Sequence, residues 1–182
     1  TILIIGVTSV ISFLAFSNHT LINSLLYYPY RIWRDKEWYR LISNGFVHAD
    51  MTHLFFNMFA LYSFGMYMEQ SFEGVFEMKG RVLYVVMYFG AIATADLLNL
   101  FKQKDNPEYR SLGASGGVSA VVLSYILLNP FGILYLFFIP IGIPAFIFGP
   151  LYLLYCAYAA KRVGDNIGHV AHFTGSVFGF VF

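Results

Sequence analysis

Long apolar runs separated by short charged breaks restrict the folds open to this chain. One such run, residues 131–160, covers 30 residues without a charged side chain. Charged residues make up only 12% of the 182 residues, whereas soluble domains carry about 25%. A deficit of this size over this length predicts a multi-pass, all-α membrane protein rather than a soluble domain.

The apolar runs and polar breaks predict six transmembrane helices. Three prolines, Pro140, Pro144 and Pro150, interrupt the run 131–160, so we expect an interfacial stretch followed by a fifth span. The segment 17–50 mixes both tryptophans with tyrosines and basic residues, which is typical of headgroup depth, and is expected to form a loop partly embedded beside the bundle. The six predicted spans are 2–16, 51–68, 82–101, 113–128, 145–160 and a segment from 168.

Composition also limits the partners of the chain. We expect one transmembrane domain over residues 1–182, with both ends truncated. The net charge of +1 offers no basic surface for nucleic acid. The single cysteine, Cys156, can form neither an internal disulfide nor a thiolate metal cluster. The expected partner is the lipid bilayer, and nothing in the sequence predicts a metal or a cofactor.

Two polar residues share one face at the entrance of the second predicted span. His53 and Asn57 are four residues apart in "HADMTHLFFN" and therefore lie one helical turn from each other. Two side-chain donors directed at one point could stabilise a developing oxyanion. Hydrogen bonding between helices, worth about 1 kcal/mol per contact, explains the pair equally well. From these residues alone both interpretations stay open.

Two predicted spans carry strips of small residues. In the last span, His172, Gly175 and Gly179 share one helical face, and the two glycines form a GxxxG pattern that allows close helix contact. The fourth span carries a matching strip of Gly116, Ala120 and Ser124. Close packing of the two strips would bring His172 against Ser115, although dimerisation or plain packing would also explain the glycines.

Ser115 lies among glycines where a polar loop gives way to the fourth predicted span. Backbone N–H groups at a helix start lack internal partners and can bind an oxyanion, with help from the helix dipole. Gly113 and Gly116 are expected to leave room for an incoming peptide, and the polar loop admits water. We therefore expect Ser115 to be a nucleophile in a wet pocket sunk into the bilayer.

The sequence "GASGG" also fits the G-x-S-x-G turn of soluble α/β-hydrolases, with Ser115, Asp165 and His172 in the serine–acid–histidine order. That turn requires a buried strand before the serine. The preceding residues, "KQKDNPEYRSL", form no such strand, and the neighbouring apolar runs are too long for a soluble sheet. We therefore reject the soluble hydrolase.

Three motifs, in order, resemble those of the rhomboid family of intramembrane serine proteases. "HADMTHLFFN" resembles the family's H-x4-H-x3-N, "GASG" its G-x-S-G, and "AHFTGSVFG" its A-H-x2-G-x3-G. The six predicted spans fit the family's core, so the resemblance covers nearly the whole chain. It implies a six-helix rhomboid-like bundle.

The resemblance also implies a role for each matching residue. Ser115 would be the nucleophile and His172 the general base and then acid, in a dyad without an aspartate, so that Asp165 is only a loop residue. His53 and Asn57 would form an oxyanion hole with the Ser115 amide. The supporting residues would be His48, with a structural or hydrating role, and Arg40, Gly113, Gly116, Gly175 and Gly179.

Two positions depart from the family's pattern. The first loop often has Trp-Arg, whereas "WYR" places Tyr39 between Trp38 and Arg40, and we expect Arg40 to keep an anchoring role. Some members carry a tyrosine four residues after the serine that packs on the catalytic imidazole. This chain has Ser119 there, so other contacts must position His172.

The activity that the resemblance implies is serine endopeptidase cleavage in or near transmembrane segments of other proteins. Substrates would have small residues at the cut and weak local helicity, and would enter beside the fifth span of a protein in a bacterial inner membrane. The alternative is a catalytically inactive rhomboid-like protein that binds or escorts membrane clients, although such relatives typically lack the serine or the histidine. A transporter would need polar residues across the bilayer, and here they cluster at one end of their spans.

Two arguments about the orientation of the chain in the membrane disagree. The odd-numbered loops hold nine Lys and Arg residues and the even-numbered loops two. The positive-inside rule would place the odd-numbered loops in the cytoplasm, whereas the family favours them outside. We follow the motifs and predict that the odd-numbered loops lie outside.

Overall fold

The computed structural model describes residues 1–135, 141–160 and 168–182, which form a helical bundle with one small hairpin. The helices are α1 (Ile2–Phe16), α2 (His19–Leu25), α3 (Pro29–Arg34), α4 (Arg40–Ser43), α5 (Met51–Phe76), α6 (Gly80–Ala95), α7 (Leu97–Lys102), α8 (Ser115–Leu128), α9 (Ala145–Ala159) and α10 (His169–Val181). The strands are β1 (Ile133–Tyr135) and β2 (Gly142–Pro144), and short 3-10 turns cover Asn44–Phe46 and Glu77–Lys79.

Six helices of the described residues have 13 to 26 residues and lie where the six spans are predicted. Within the described residues, one continuous helical stretch, Met51–Lys102, is long and apolar enough to cross a membrane by length and composition. The helices α1, α8 and α9 are apolar but shorter. The all-α class is confirmed, and the count of six membrane crossings stays a prediction.

Two helices differ from their predicted boundaries by more than two residues. Helix α5 continues past Met68 to Phe76, because "EQSFEGVF" contains no proline and includes good helix formers, and it ends where Glu77 has a φ of 52°. The third predicted span is interrupted after α6. There the Asp96 carboxylate accepts hydrogen bonds of 2.8 Å from Asn99 Nδ2 and from Ser111 Oγ, and the helix restarts as α7.

The proline-rich stretch before α9 contains a hairpin that was not predicted from the sequence. Strand β1 pairs antiparallel with β2, with Leu134 opposite Ile143. Helix α9 begins at Ala145, as predicted, and includes Pro150. Residues of the sequence argument that lie outside the described residues are Pro140, Lys161, Arg162 and Asp165.

Helix α8 lies at the centre of the bundle. It packs against α5, α6, α9 and α10, and most of its side chains are buried. The outer faces of the other long helices expose large apolar side chains, as lipid contact allows. Examples are Leu3, Tyr62, Val82, Leu154 and Phe180.

The first loop is tied to the segment that precedes α8. Tyr27 and Ser111 exchange backbone hydrogen bonds of 2.9 and 3.1 Å. Burial raises the pKa of Tyr27, so its hydroxyl stays protonated and donates to the Asp96 carbonyl at 2.7 Å. Since Ser111 also donates to the Asp96 carboxylate, three parts of the chain meet just before Ser115.

Candidate active site

One cavity contains polar residues from all three motifs. Its volume is about 940 Å³, and its walls come from α5, α6, α8, α9 and α10 together with the segment before α8. Ser115 and His172 line it from the first turns of α8 and α10, and His53 and Asn57 line it from the first turns of α5. The structure thus brings four of the predicted site residues to one place.

Helices α8 and α10 cross with their backbones in contact. A Cβ at Gly175 would overlap the Gly116 carbonyl, and a Cβ at Gly179 would overlap the Ala120 carbonyl. Ser124 Oγ donates to the Gly179 carbonyl at 2.7 Å. Small residues on both helices permit this approach. The predicted packing of the two strips is confirmed.

Ser115 and His172 flank this crossing. Ser115 directly precedes Gly116, and His172 lies one turn before Gly175 on the same face of α10. In the part of the chain that the structure describes, no hydrogen bond joins Ser115 Oγ to His172, whose Nδ1 lies 3.2 Å from the Tyr152 hydroxyl. Catalytic hydrogen bonds are often long in free sites and tighten with substrate. The two side chains share the cavity without a hydrogen bond between them in this conformation.

Among the described residues, the start of α8 leaves one backbone donor without a partner beside the cavity. The Gly113 N–H donates to the Asn44 carbonyl at 3.0 Å, and the Ala114 N–H donates to His48 Nε2 at 3.4 Å. Ser115 is the first residue of α8, where an N–H group has no partner within the helix. None of the hydrogen bonds between described residues uses the Ser115 N–H. This amide is therefore available to an oxyanion.

His48 supports that segment from inside the protein. Its Nδ1 lies 2.9 Å from Ser12 Oγ, and the Ser12 hydroxyl donates to the Phe46 carbonyl at 2.9 Å. Ser12 therefore accepts the proton of Nδ1, which leaves Nε2 to accept the Ala114 N–H. Burial lowers the pKa of His48 to about 3, so the imidazole stays neutral. These contacts favour a structural role.

Gly113 makes room for a histidine. Its φ of 121° is one that side chains rarely adopt, and a Cβ would lie 2.7 Å from Cε1 of His53. A Cβ at Gly116 would collide with the side chain of Ala95. Both glycines also line the cavity, so the expected space for an incoming peptide stays a prediction. They accommodate His53 and the packing of α8 on α6.

The first two turns of α5 hold His53 and Asn57. The Asp50 carboxylate caps the helix by accepting the His53 N–H at 2.8 Å. Asn57 Nδ2 donates to the His53 carbonyl at 3.0 Å. A primary amide carries two N–H donors, so one remains for the cavity. This arrangement can surround one developing negative charge with side-chain donors and the Ser115 amide.

Arg40 anchors the first loop. Its side chain is 1% exposed and forms an ion pair with Glu37. Nη1 donates to the carbonyls of Asn23 and Leu26 at 2.9 and 2.8 Å. Arg40 therefore holds the end of α2 against α4, which is the anchoring role expected of it.

The match to a known family agrees with this geometry. The family model described as Rhomboid domain matches residues 35–182. The chain belongs to the rhomboid family. It is therefore an integral membrane protein.

Two relatives are similar to this rhomboid chain over most of its length. RHOMBOID-like protein 12, mitochondrial, from Arabidopsis thaliana is 32% identical over 145 residues, which cover 75% of this chain and 43% of the plant protein. Rhomboid protease GlpG from Haemophilus influenzae is 29% identical over 157 residues, which cover 86% of this chain and 74% of the bacterial protein. The chain thus spans less than half of the plant relative.

Sequence reasoning missed one residue of this rhomboid site. Tyr152 of α9 lines the cavity, with its hydroxyl 3.2 Å from His172 Nδ1 and 3.0 Å from Ser119 Oγ. The sequence signal was Ser119 itself, which left the imidazole without the neighbour that some family members supply. No spacing among the 14 tyrosines selects Tyr152, because it reaches His172 from a different helix.

Proposed function

We propose that this rhomboid chain is an intramembrane serine endopeptidase that cleaves peptide bonds in or near transmembrane segments of other membrane proteins. The observation that carries the proposal is the shared cavity, which holds a serine, a histidine and a set of hydrogen-bond donors. A catalytically inactive relative needs no such combination. The name of the bacterial relative, a rhomboid protease, points the same way.

In the proposed reaction, His172 takes the proton of the Ser115 hydroxyl while Ser115 Oγ attacks the scissile carbonyl carbon. The tetrahedral oxyanion accepts hydrogen bonds from the Ser115 N–H, His53 and Asn57. His172 then gives its proton to the leaving amine, and water releases the acyl-enzyme with His172 again acting as base. The roles of Ser115 and His172 require them to approach more closely than in the free cavity.

The substrates in this proposal are transmembrane proteins with small residues at the cut and weak local helicity, which enter beside α9. The chain acts as one domain over residues 1–182 with six crossings of the bilayer. The bacterial relative favours the expected bacterial inner membrane, whereas the plant relative is named mitochondrial. Fractionation of the source organism's membranes with an antibody against the chain decides between these locations.

The activity is tested with the purified protein in liposomes, using a fluorophosphonate probe and a panel of single-span substrates with small residues near the membrane surface. We expect labelling and cleavage in the wild type, and loss of both in Ser115→Ala. The matched control is Ser63→Ala, since Ser63 is exposed on α5 and should leave both unchanged. Asn57→Ala should lower the cleavage rate by about 100- to 1,000-fold through loss of one oxyanion donor.

Labelling that survives in Ser115→Ala would show that another residue reacts. The wild type could neither react with the probe nor cleave substrates, yet retain transmembrane peptides in the same liposomes. That result would contradict the protease function and support the client-binding alternative.

A further inference from the structure

His172 has no carboxylate among its hydrogen-bond partners in the described residues. Its ring instead meets Tyr152, with Nδ1 3.2 Å from the phenol oxygen and the two ring centroids 6.4 Å apart. In serine–histidine catalysis a third group commonly binds Nδ1–H and thereby sets which nitrogen can act as base. Tyr152 occupies the place where such a group would act.

The Tyr152 side chain is itself held on two sides. Its hydroxyl lies 3.0 Å from Ser119 Oγ, and Ser119 is a buried residue one turn after Ser115 on α8. Its ring stacks on Phe148 with centroids 5.7 Å apart and planes 10° apart. Contacts with α8 and within α9 therefore fix the phenol oxygen that His172 meets.

We propose that Tyr152 is a positioning residue that holds His172 with its proton on Nδ1. The proposal rests on the proposed protease function. Nδ1–H donates to the Tyr152 oxygen, and the Tyr152 hydroxyl donates to Ser119 Oγ. This direction leaves the lone pair of Nε2 for the Ser115 hydroxyl, as a general base requires.

The same hydrogen bond strengthens during the reaction. When Nε2 takes the proton of Ser115, the imidazole becomes positively charged, and Nδ1–H then donates a charge-assisted hydrogen bond to the phenol oxygen. No proton leaves Nδ1, and Tyr152 stays neutral throughout. The tyrosine thus does part of what a carboxylate does in a three-residue site, without placing a second charge in the bundle.

Tyr152 also links the dyad to a helix that contributes neither of its members. Helix α8 carries Ser115 and Ser119, and α10 carries His172, whereas Tyr152 lies on α9. The orientation of the imidazole therefore depends on where α9 packs. In family members that carry a tyrosine four residues after the nucleophilic serine, a single helix would supply the nucleophile and also position the imidazole.

The test uses Tyr152→Phe, which removes one oxygen and keeps the ring. We expect kcat to fall by about 10- to 100-fold, because a hydrogen bond to a charged group is lost, while KM stays unchanged. Tyr155→Phe on the same helix is the matched control, since Tyr155 meets His169 through its ring and should retain wild-type kcat. Ser119→Ala should lower kcat less, and should have no further effect in the Tyr152→Phe background.

A second measurement is independent of activity. In protein labelled with 15N-histidine, the ring signals of His172, assigned by their loss in His172→Asn, should show the proton on Nδ1, and Tyr152→Phe should shift the population toward Nε2. An Nε2–H tautomer in the wild type, or a Tyr152→Phe enzyme with wild-type kcat, overturns the proposal. If the wild type does not react with fluorophosphonate, the protease function fails, and the histidine signals still decide the role of Tyr152.

Discussion

The segment that carries Ser115 depends on one neutral histidine. His48 accepts the Ala114 N–H through Nε2 only while Nε2 is unprotonated, and a positive imidazole would set two donors against each other. Its ring also packs edge-on against His53, with centroids 4.9 Å apart. A proton on His48 would therefore disturb both the nucleophile segment and a proposed oxyanion donor.

This dependence predicts that the free energy of unfolding in detergent falls as the pH decreases from about 6.5 to about 3. Native His48 stays neutral down to a pKa of about 3, whereas the unfolded chain protonates it near 6.5, so the unfolded state binds one more proton between these values. Each pH unit then removes up to about 1.4 kcal/mol. Denaturant titrations followed by tryptophan fluorescence at several pH values measure the slope.

Two variants assign that slope to its source. His48→Gln should reduce the slope by up to about 1.4 kcal/mol per pH unit, which corresponds to one bound proton, because glutamine does not titrate. The matched control is His19→Gln, which changes an exposed histidine outside the hydrogen bonds of His48. An identical slope in His48→Gln and the wild type would mean that the other histidines account for all of it.

At the scale of single residues, the sequence predicted those that belong to local motifs and missed those that contact residues of other helices. His53 and Asn57 could be paired because they are one turn apart, and Ser115 could be placed at a helix start from its glycines. Ser12 and Tyr152 carry no such signal, since each is one of several hydroxyl-bearing residues in an apolar run. Only the tertiary packing reveals that one meets His48 and the other His172.

Among the helices, the crossing of α8 and α10 leaves no room for added volume at its glycines. Gly175→Ala would force a methyl group into the Gly116 backbone. We expect destabilisation by about 1–3 kcal/mol from overpacking, together with loss of cleavage as Ser115 and His172 move apart. Thermal unfolding and substrate cleavage in the same detergent measure the two effects.

The matched control on α10 is Val177→Ala, which shortens a side chain exposed on the outer face and should change neither property. If Gly175→Ala kept wild-type stability and activity, the two backbones would have to lie farther apart than the structure places them.

Helix starts were easier to predict than helix ends. Helices α5 and α9 begin at the predicted residues, because Asp50 caps one and Pro144 precedes the other. The end of α5 and the break at Asp96 were missed. The first depends on a run of helix formers beyond the apolar segment, and the second on a hydrogen bond from Ser111, fifteen residues away in the chain.

At the scale of the whole molecule, the orientation in the membrane is the main prediction still to be tested. In a Cys156→Ala background, Asn106→Cys samples the third loop and Met78→Cys the second. Both positions are exposed and lie at opposite ends of α6. With a membrane-impermeant maleimide on spheroplasts, we expect labelling of Asn106→Cys and protection of Met78→Cys.

Labelling of both cysteines after the cells are lysed confirms that each is reactive. Labelling of Met78→Cys alone in intact spheroplasts would reverse the predicted orientation, in agreement with the distribution of Lys and Arg.

The hydrogen bond between Ser12 and His48 has a consequence for shortened versions of the protein. The family match begins at residue 35, and α1 lies entirely before it. A version beginning there would retain every motif residue, yet His48 would face an empty groove and Arg40 would lose both of its carbonyl acceptors. A fragment limited to the residues that match the family would therefore lack a helix that supports the segment carrying Ser115.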